Sequence, residues 1–313
     1  MNNLLVITHD DCLLKNNGNA HPERKERLET IVNSIKEIND FKIEFREAFL
    51  AKLPIISLVH PENYIKNIFS KIPKEGIISV EEEPYADTFL CPFSKNAILR
   101  SCGSGINASD YLVKEKIKKI FCAVRPPGHH AETTRANGFC FLNNIAVTAR
   151  YLQKEYQVGK IAIIDFDVHH GNGTQEIFYS DRSVAYGSIH QFPLFPGTGS
   201  EDEIGIGNIF NAPIQSNTSG DDFIKILENK ILNKIDNFKP EIILISAGFD
   251  AHKRDPLAQI NLESDHFNII TKKIVEIANT HCDGKIISFL EGGYDLTALS
   301  ESIKEHLNAL IFN

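Results

Sequence analysis

The sequence predicts an α/β fold, a mostly parallel sheet with helices on both faces. Short apolar runs rich in β-branched residues and bounded by Gly or Pro are typical of buried strands. Between them lie longer segments with apolar residues three and four apart, the spacing of an amphipathic helix. Their alternation is typical of sheets whose parallel strands are connected by helices.

The amino-terminal third is predicted to contain one strand and three helices. Residues 4–8 form the strand. Residues 23–38 form a helix, because apolar side chains recur on one side of it, at Leu28, Ile31, Val32, Ile35 and Ile38. Residues 61–72 form a second helix with Pro61 in its first turn, and residues 94–115 form a longer third helix that contains glycine.

The rest of the chain is predicted to contain five strands and four helices. The strands span residues 119–124, 160–165, 184–189, 241–246 and 285–290. The helices span residues 141–155, 221–236, 264–279 and 297–311. Residues 74–92 and 191–208 show neither the apolar run of a buried strand nor the spacing of an amphipathic helix. They are predicted to be long loops, which often form functional rims. Because no repeat or linker is visible, residues 1–313 are predicted to form one domain.

The composition excludes some classes of partner and indicates a cellular location. The 313 residues are 42% hydrophobic and carry a net charge of −8, whereas binding to nucleic acid or to anionic membranes requires a basic surface. No stretch approaches the ~20 apolar residues of a membrane span, and the first residues lack the features of a signal peptide. The six scattered cysteines form no CxxC pair and are typical of reduced thiols. We therefore expect a cytoplasmic protein.

Side chains that bind metals or transfer protons cluster directly after the last five predicted strands. The segments are 125–130, 166–173, 190, 247–252 and 291–294. In a parallel sheet, ligands gather beyond the carboxyl ends of the strands. These segments are therefore expected to form one site.

Asp167, His169 and Asp250 form a candidate site for a divalent cation. Residues two apart on an extended segment share a face, so Asp167 and His169 could bind one ion that Asp250 completes. Two carboxylates and one imidazole suit Zn²⁺ or a similar borderline ion, and three protein ligands leave a position open for water. An isolated Asp-x-His sequence would more often cap a loop or helix, but the neighbouring clusters favour the metal.

His129 and His130 are candidates for acid–base chemistry, because histidine is the usual proton-transfer group near neutral pH. A buried imidazole requires hydrogen-bond partners, for which we expect Asp165 and Asn172. Tyr294 follows two glycines that allow a close backbone approach, and its phenol could donate to a developing oxyanion. The alternatives are a pair of surface histidines and a tyrosine packed in a turn.

Two phenylalanines are candidate walls of an aromatic slot. Phe139 follows Gly138, and Phe195 lies in the Gly/Pro-rich segment 193–199. Such a slot would hold an aliphatic chain and exclude water. In a chain with 20 phenylalanines, either residue could instead belong to the core.

Six motifs in this order resemble the zinc-dependent histone deacetylase family. They are RPPGHHA, GFCFLNN, DFDVHHGNGT, PGTG, AGFDAH and EGGY, with HPER at residue 21 as a further match. The asparagine at position 172 resembles the class II branch of the family. The length of the chain is similar to that of bacterial deacetylases and acetylpolyamine amidohydrolases. The resemblance implies the arginase–deacetylase fold, with an eight-stranded parallel sheet, in a single catalytic domain.

The resemblance also implies roles for individual residues in the hydrolysis of an acylated amine. The ligands of one zinc ion match Asp167, His169 and Asp250. His130 matches the general base and acid, His129 its electrostatic partner, and Tyr294 the oxyanion donor. The substrate channel matches Gly138, Phe139, Phe195 and, more loosely, Asp87. A structural potassium site matches Asp165, Asp167, His169, Ser188 and Ile189, and part of a second one matches Phe178, Asp181 and Val184.

The expected substrate is acetyl-lysine or another acyl-lysine in a peptide or protein. Polyamine-specific relatives are similar to this chain but have a gating glutamate, which attracts a cationic chain, at the position of Leu257. The leucine removes that attraction and favours acyl-lysine. Acetylpolyamines and other small acylated amines are the alternative. The acidic residues Glu81, Glu82, Glu83 and Asp87 could attract a cationic substrate or could form a solvated loop.

Several points stay open in the sequence. Zinc and iron are both possible as the native metal, and a homo-oligomer is possible. A two-manganese ureohydrolase of the same fold would need further Asp and His ligands, which residues 125–130 and 291–294 do not supply. A catalytically silent acyl-binding or scaffold protein would usually have lost the tyrosine, a zinc ligand or a catalytic histidine. All of these residues are present here.

Overall fold

The computed structural model describes residues 4–38, 43–81 and 86–312, and its centre is an eight-stranded sheet. The strands in these ranges are β1 (Leu4–Thr8), β2 (Ile43–Glu47), β3 (Ile78–Ser79), β4 (Phe89–Leu90), β5 (Lys119–Cys122), β6 (Ile161–Asp165), β7 (Val184–Gln191), β8 (Ile209–Ile214), β9 (Ile242–Ala247) and β10 (Ile286–Leu290). β3 and β4 form a separate antiparallel pair. The large sheet has the order β2-β1-β5-β10-β9-β6-β7-β8, and all its pairs are parallel.

Helices connect the strands. They are α1 (Asp11–Leu14), α2 (Lys25–Lys36), α3 (Leu53–Ile56), α4 (Glu62–Ser70), α5 (Ser94–Lys114), α6 (Asn144–Tyr156), α7 (Asn172–Phe178), α8 (Gly220–Leu227), α9 (Asn233–Phe238), α10 (Ser264–His281) and α11 (Leu296–Phe312). A π-helical segment, Glu228–Leu232, joins α8 to α9. Among the described residues, no helix has both the length and the apolar character that a membrane crossing needs.

Both faces of the sheet are covered by helices, as the sequence predicts. Phe121 and Cys122 are consecutive on β5 and therefore point to opposite faces. The Phe121 ring contacts His306 of α11, with centroids 6.0 Å apart. Phe289 pairs in register with Cys122, and a Cβ added to Gly105 of α5 would lie 2.7 Å from its ring. Every residue of β6, β9 and β10 is buried, as expected of strands covered on both sides.

The two edge strands are absent from the sequence prediction. β2 has the sequence IEFRE, in which charged residues interrupt any apolar pattern, and all five of its residues are exposed or half-buried. β8 contains Asn211 and Pro213, and proline is tolerated in an edge strand because one side of the strand needs no ladder bonds. Strands are recognised in the sequence by apolar runs, so strands interrupted by charged residues, asparagine or proline give a weak signal.

Two predicted segments differ from the structure in detail. The helix expected over residues 221–236 is divided by the π-helical segment, whose hydrogen-bond pattern an apolar period does not reveal. The loop expected over residues 74–92 contains the two-residue strands β3 and β4. The other predicted helices and strands agree with the structure to within three residues at each end.

Candidate active site

The loops that carry the predicted site residues leave five neighbouring strands. β5, β10, β9, β6 and β7 are adjacent in this order and parallel, so their carboxyl ends lie at one edge of the sheet. Buried beyond that edge are His129, His130, Asp167, His169, Asp250 and Tyr294.

One nitrogen of His169 lies between two carboxylates. Its Nδ1 is 3.1 Å from Oδ1 of Asp167 and 3.1 Å from Oδ2 of Asp250. One ligand atom from each of the three residues lies within 4.8 Å of the other two. Ligands about 2.05 Å from a tetrahedral zinc ion stand about 3.3 Å apart. The donor set and its spacing therefore fit a zinc-sized cation.

Backbone groups hold both carboxylates in place. The N–H of Gly292 donates to Oδ2 of Asp167 over 2.7 Å, and the N–H of Val168 donates to Oδ1 of Asp250 over 3.0 Å. A Cβ on Gly292 would collide with Oδ2 of Asp250 and would lie 2.6 Å from Oδ2 of Asp167. Only glycine allows the backbone after β10 to approach both ligands this closely.

The charges of this cluster stabilise one another. Burial disfavours the charged form of His169, but hydrogen bonds to Asp167 and Asp250 outweigh it and raise the pKa of His169 to about 10. Burial also opposes ionisation of Asp167, yet the positive charges of His129 and His169 hold its pKa well below the usual range. The carboxylates thus favour positive charge at the point where the three residues meet.

His129 and His130 have ring centroids 4.0 Å apart but different surroundings. Burial disfavours the charged form of His129, but the negative charges of Asp165 and Asp167 outweigh this effect and raise the pKa of His129 to about 10. Oδ2 of Asp165 lies 3.0 Å from Nδ1 of His129. Burial and the nearby charges of His129 and His169 lower the pKa of His130 well below its ordinary value. A charged and a neutral imidazole side by side can serve as an electrostatic group and a base.

Asn172 fixes which nitrogen of His130 carries the proton. Its Oδ1 is 2.8 Å from Nδ1 of His130, and its Nδ2 donates to Oε1 of Glu132 over 2.7 Å. Because an amide oxygen only accepts, Nδ1 of His130 is protonated and Nε2 has the free lone pair. The sequence indicates Asn172 but not Glu132, because an acidic residue in a polar loop is ordinarily exposed.

Tyr294 is 8% exposed, and Arg27 lies against its ring with the guanidinium 4.9 Å from the centroid. Arg27 also donates to the carbonyl oxygens of Gly293 and Glu291, each over 2.6 Å. Burial and the charge of Asp250 raise the pKa of the Tyr294 phenol well above its ordinary value, so the hydroxyl keeps its proton at neutral pH. Arg27 is not predicted from the sequence, because its partners are 264 and 266 residues away.

Phe139 and Phe195 lie next to the proton-handling residues. The Phe195 ring is 5.0 Å from that of His130 and is 40% exposed, and the Phe139 ring is 6.1 Å from that of Tyr294. Gly138 has a φ of +52°, and a Cβ there would collide with His130 and lie 2.9 Å from Phe195. The two rings can therefore line a slot that reaches from the surface to His130.

Asp87 is connected to Phe139 by hydrogen bonds through Thr88. Thr88 donates from Oγ1 to Oδ1 of Asp87 over 2.6 Å and accepts from the N–H of Phe139 over 3.0 Å. Nε2 of His21 is 3.0 Å from the carbonyl oxygen of Asp87. Residues 82–83, which the predicted acidic rim also includes, lie outside the described residues.

The residues predicted to hold potassium lie on adjoining strands. Asp165 of β6 and Ser188 of β7 pair in register and are fully buried, and Ile189 follows Ser188. Asp165 also accepts from the hydroxyl of Tyr186 over 3.0 Å and from the N–H of Asp167 over 3.1 Å. Such oxygen-rich surroundings suit a hard cation.

Two buried carboxylates near the site have no assigned role in the sequence prediction, although residues 291–294 are among the segments expected to form the site. Asp255 accepts from the N–H of Leu257, the predicted gate residue, which is half-buried on the loop after β9. Glu291 accepts from the N–H of Gly128 over 2.8 Å and from the hydroxyl of Ser246 over 3.2 Å. Both occur in Gly/Pro-rich loops next to predicted ligands, which is the signal that could have identified them.

Comparisons with known proteins show which family the chain is similar to. A family model described as the histone deacetylase domain matches residues 21–310. The chain is 35% identical to a protein of Archaeoglobus fulgidus named "Probable deacetylase", over 93% of this chain and 81% of the relative. It is 36% identical to histone deacetylase 10, chloroplastic, of Oryza sativa subsp. japonica, over 94% of this chain and 70% of the relative.

A solved structure is similar over the whole fold. The crystal structure of the HDA15 HD domain matches with a TM-score of 0.89 and 30% sequence identity, covering 98% of this chain and 88% of that chain. The family and the fold that the motifs predict are thereby confirmed. The chain belongs to the histone deacetylase family and is a deacetylase hydrolase.

Proposed function

We propose that the protein is a zinc-dependent amidohydrolase that removes acetyl or other acyl groups from the side-chain amine of lysine in proteins or peptides. The proposal rests on the position of His169 Nδ1, 3.1 Å from the carboxylates of both Asp167 and Asp250. Neutral His130 lies beside this cluster, with its ring centroid 6.1 Å from that of His169. Zinc held by the three ligands would polarise the amide carbonyl and lower the pKa of water to about 7.

Proton transfer is assigned to His130. Its low pKa leaves Nε2 free to accept the proton of the attacking water, while Asn172 keeps Nδ1 protonated. The same Nε2 then returns the proton to the leaving amine, which releases carboxylate and free amine. The positive charge of His129 stabilises the negative charge that develops beside it.

Tyr294 is the second donor to the developing oxyanion. The raised pKa of its phenol keeps the hydroxyl protonated, and a hydrogen bond to an oxyanion is stronger than one to the ground-state carbonyl. Phe139 and Phe195 would hold the aliphatic stem of the acylated lysine, with the Gly138 carbonyl as an acceptor. Asp87, at the edge of the slot, would accept from a substrate backbone amide.

Leu257 favours acyl-lysine over acetylpolyamine as the substrate. An uncharged, half-buried side chain on the loop after β9 provides no attraction for a polycation. We also propose one catalytic domain over residues 1–313, and a structural potassium ion bound by Asp165, Ser188 and Ile189. Neither proposal affects the assignment of His130 and Tyr294.

A substrate panel tests the proposed function. Zinc-loaded enzyme is assayed on acetyl-lysine peptide, longer acyl-lysine peptides, acetylputrescine and acetylspermidine. We expect the lysine peptides to be hydrolysed with the highest kcat/KM, and His130→Ala and Tyr294→Phe each to lower kcat by about 100-fold or more.

The matched control is Tyr151→Phe, which removes a hydroxyl that donates to Asp110 over 2.9 Å between α6 and α5. It should retain wild-type activity. Preferential hydrolysis of the acetylpolyamines would replace the lysine assignment with the small-molecule alternative. Unchanged turnover in both site variants would refute the proposed roles of His130 and Tyr294.

A further inference from the structure

Asp255 is a buried carboxylate whose two oxygens bind two separate parts of the site. It is 7% exposed. Oδ2 accepts from the N–H of Tyr294 over 2.7 Å, and Oδ1 accepts from the N–H of Leu257 over 3.0 Å. Asp255 thus connects the loop after β9, which carries the gate position, to the turn after β10, which carries the phenol.

The turn that carries Tyr294 has little intrinsic rigidity and is held by its surroundings. Residues 292 and 293 are both glycine, and Gly293 has a φ of +117°. Two glycines in succession leave the direction of the following side chain poorly determined by the backbone alone. Arg27 binds the carbonyl oxygen of Gly293, and Asp167 binds the N–H of Gly292. The N–H of Tyr294 itself is bound by Asp255.

We propose that Asp255 is a positioning residue that sets the direction of the Tyr294 hydroxyl and couples it to the loop that carries Leu257. The inference rests on the proposed role of Tyr294 as oxyanion donor. Asp255 acts through the backbone N–H of Tyr294 and not through contact with the reacting atoms. A small rotation of the Tyr294 peptide would move the hydroxyl at the far end of the side chain by a larger distance, and a shift of about 1 Å can cost 100-fold in rate.

The isosteric variant Asp255→Asn tests this inference. An amide has one acceptor oxygen and one NH₂ donor, so in either orientation one of the two backbone N–H groups would face a donor. We expect kcat on acetyl-lysine peptide to fall by about tenfold or more, with KM within about threefold of wild type and with wild-type zinc content.

A double-mutant cycle distinguishes positioning from a general structural effect. If Asp255 acts through the phenol, Asp255→Asn should lower kcat in the wild-type background but by less than about twofold in the Tyr294→Phe background. A trifluoroacetyl-lysine peptide provides a second readout, because its fluorines stabilise the oxyanion by induction. Both variants should lose less activity on this substrate than on acetyl-lysine.

The matched control is Glu241→Gln, because Glu241 also accepts from two backbone N–H groups, those of Gly159 and Lys160, at the opposite ends of the strands. It should leave kcat and KM unchanged. If Asp255→Asn fails to fold, as judged by thermal unfolding, Asp255→Ser retains one acceptor and enters the same cycle.

Two results have different consequences. Full activity of Tyr294→Phe would remove the role proposed for the phenol and, with it, the basis of this inference. A strong effect of Tyr294→Phe together with wild-type kcat in Asp255→Asn, or with an undiminished Asp255→Asn effect in the double mutant, would overturn the positioning role of Asp255 alone.

Discussion

At the scale of single residues, the site depends on small differences between similar groups. His129 and His130 are adjacent and both buried, yet the first is next to the carboxylate of Asp165 and the second next to the neutral amide of Asn172. This one difference in partner contributes to opposite pKa shifts in the two rings. The proposed roles of His129 as a cation and His130 as a base therefore depend on the hydrogen-bond partner of each ring.

Asn172→Asp should move the pH dependence of the reaction. A carboxylate in place of the amide would stabilise the imidazolium form of His130 and raise its pKa. The base must be neutral to accept a proton, so the acidic limb of the pH profile of kcat/KM should move to higher pH. The control Asn237→Asp, in α9, should leave the profile unchanged, and an unmoved limb in Asn172→Asp would contradict the assignment of His130 as the base.

Gly292→Ala should lower the affinity for the metal. The added methyl would occupy space now taken by the carboxylates of Asp250 and Asp167, so at least one ligand would have to move. Zinc affinity measured by chelator competition should fall by at least about tenfold. Gly159→Ala is a suitable control, because its methyl would meet only the flexible end of Glu241, 2.7 Å away. Wild-type affinity in Gly292→Ala would argue against a metal held by these carboxylates.

At the scale of elements, a buried histidine joins α11 to two neighbours. Nδ1 of His306 is 2.7 Å from Oγ1 of Thr271 on α10, and Nε2 is 2.9 Å from Oγ of Ser288 on β10. The ring also contacts Phe121, Phe166 and Phe249. Burial lowers the pKa of His306 to about 3. The helix is thus fixed to the sheet by a neutral imidazole.

His306 should make the fold less stable in mild acid. The unfolded chain, with a histidine pKa of about 6.5, binds a proton that the folded chain excludes until about pH 3, so stability falls as the pH drops below 6.5. Between pH 7 and pH 5 this group alone contributes a loss of about 2 kcal/mol. Urea unfolding should show a loss of stability between pH 7 and pH 5 that is smaller by about 2 kcal/mol in His306→Asn than in the wild type, whereas His281→Asn on α10 should show the wild-type loss. An equal loss in both variants would contradict a buried neutral His306.

The elements also show which parts of the fold the sequence can predict. β6, β9 and β10 are covered on both faces, so their apolar runs are continuous and easily recognised. β2 and β8 lie at the edges of the sheet, where Arg46 and Pro213 are tolerated and the pattern is lost. The pattern therefore identifies a strand only where its apolar residues form an uninterrupted run.

At the scale of the whole molecule, sheet order explains why distant segments form one site. The order β5-β10-β9-β6-β7 places five strand ends side by side, although the segments that follow them extend from residue 125 to residue 294. The sequence predicts this convergence, because each ligand follows a recognisable strand. It does not predict Arg27, Glu132 or Asp255, because these support the site through contacts whose spacing depends on the complete fold.

Zinc titration of the metal-free protein tests the central claim most directly, with acetate release from an acetyl-lysine peptide as the readout. If Asp167, His169 and Asp250 hold one catalytic ion, activity should rise in proportion to zinc and reach its plateau at one ion per chain. Asp250→Asn should neither bind zinc at this site nor release acetate. Full activity without metal, or a plateau only at two ions per chain, would contradict the account.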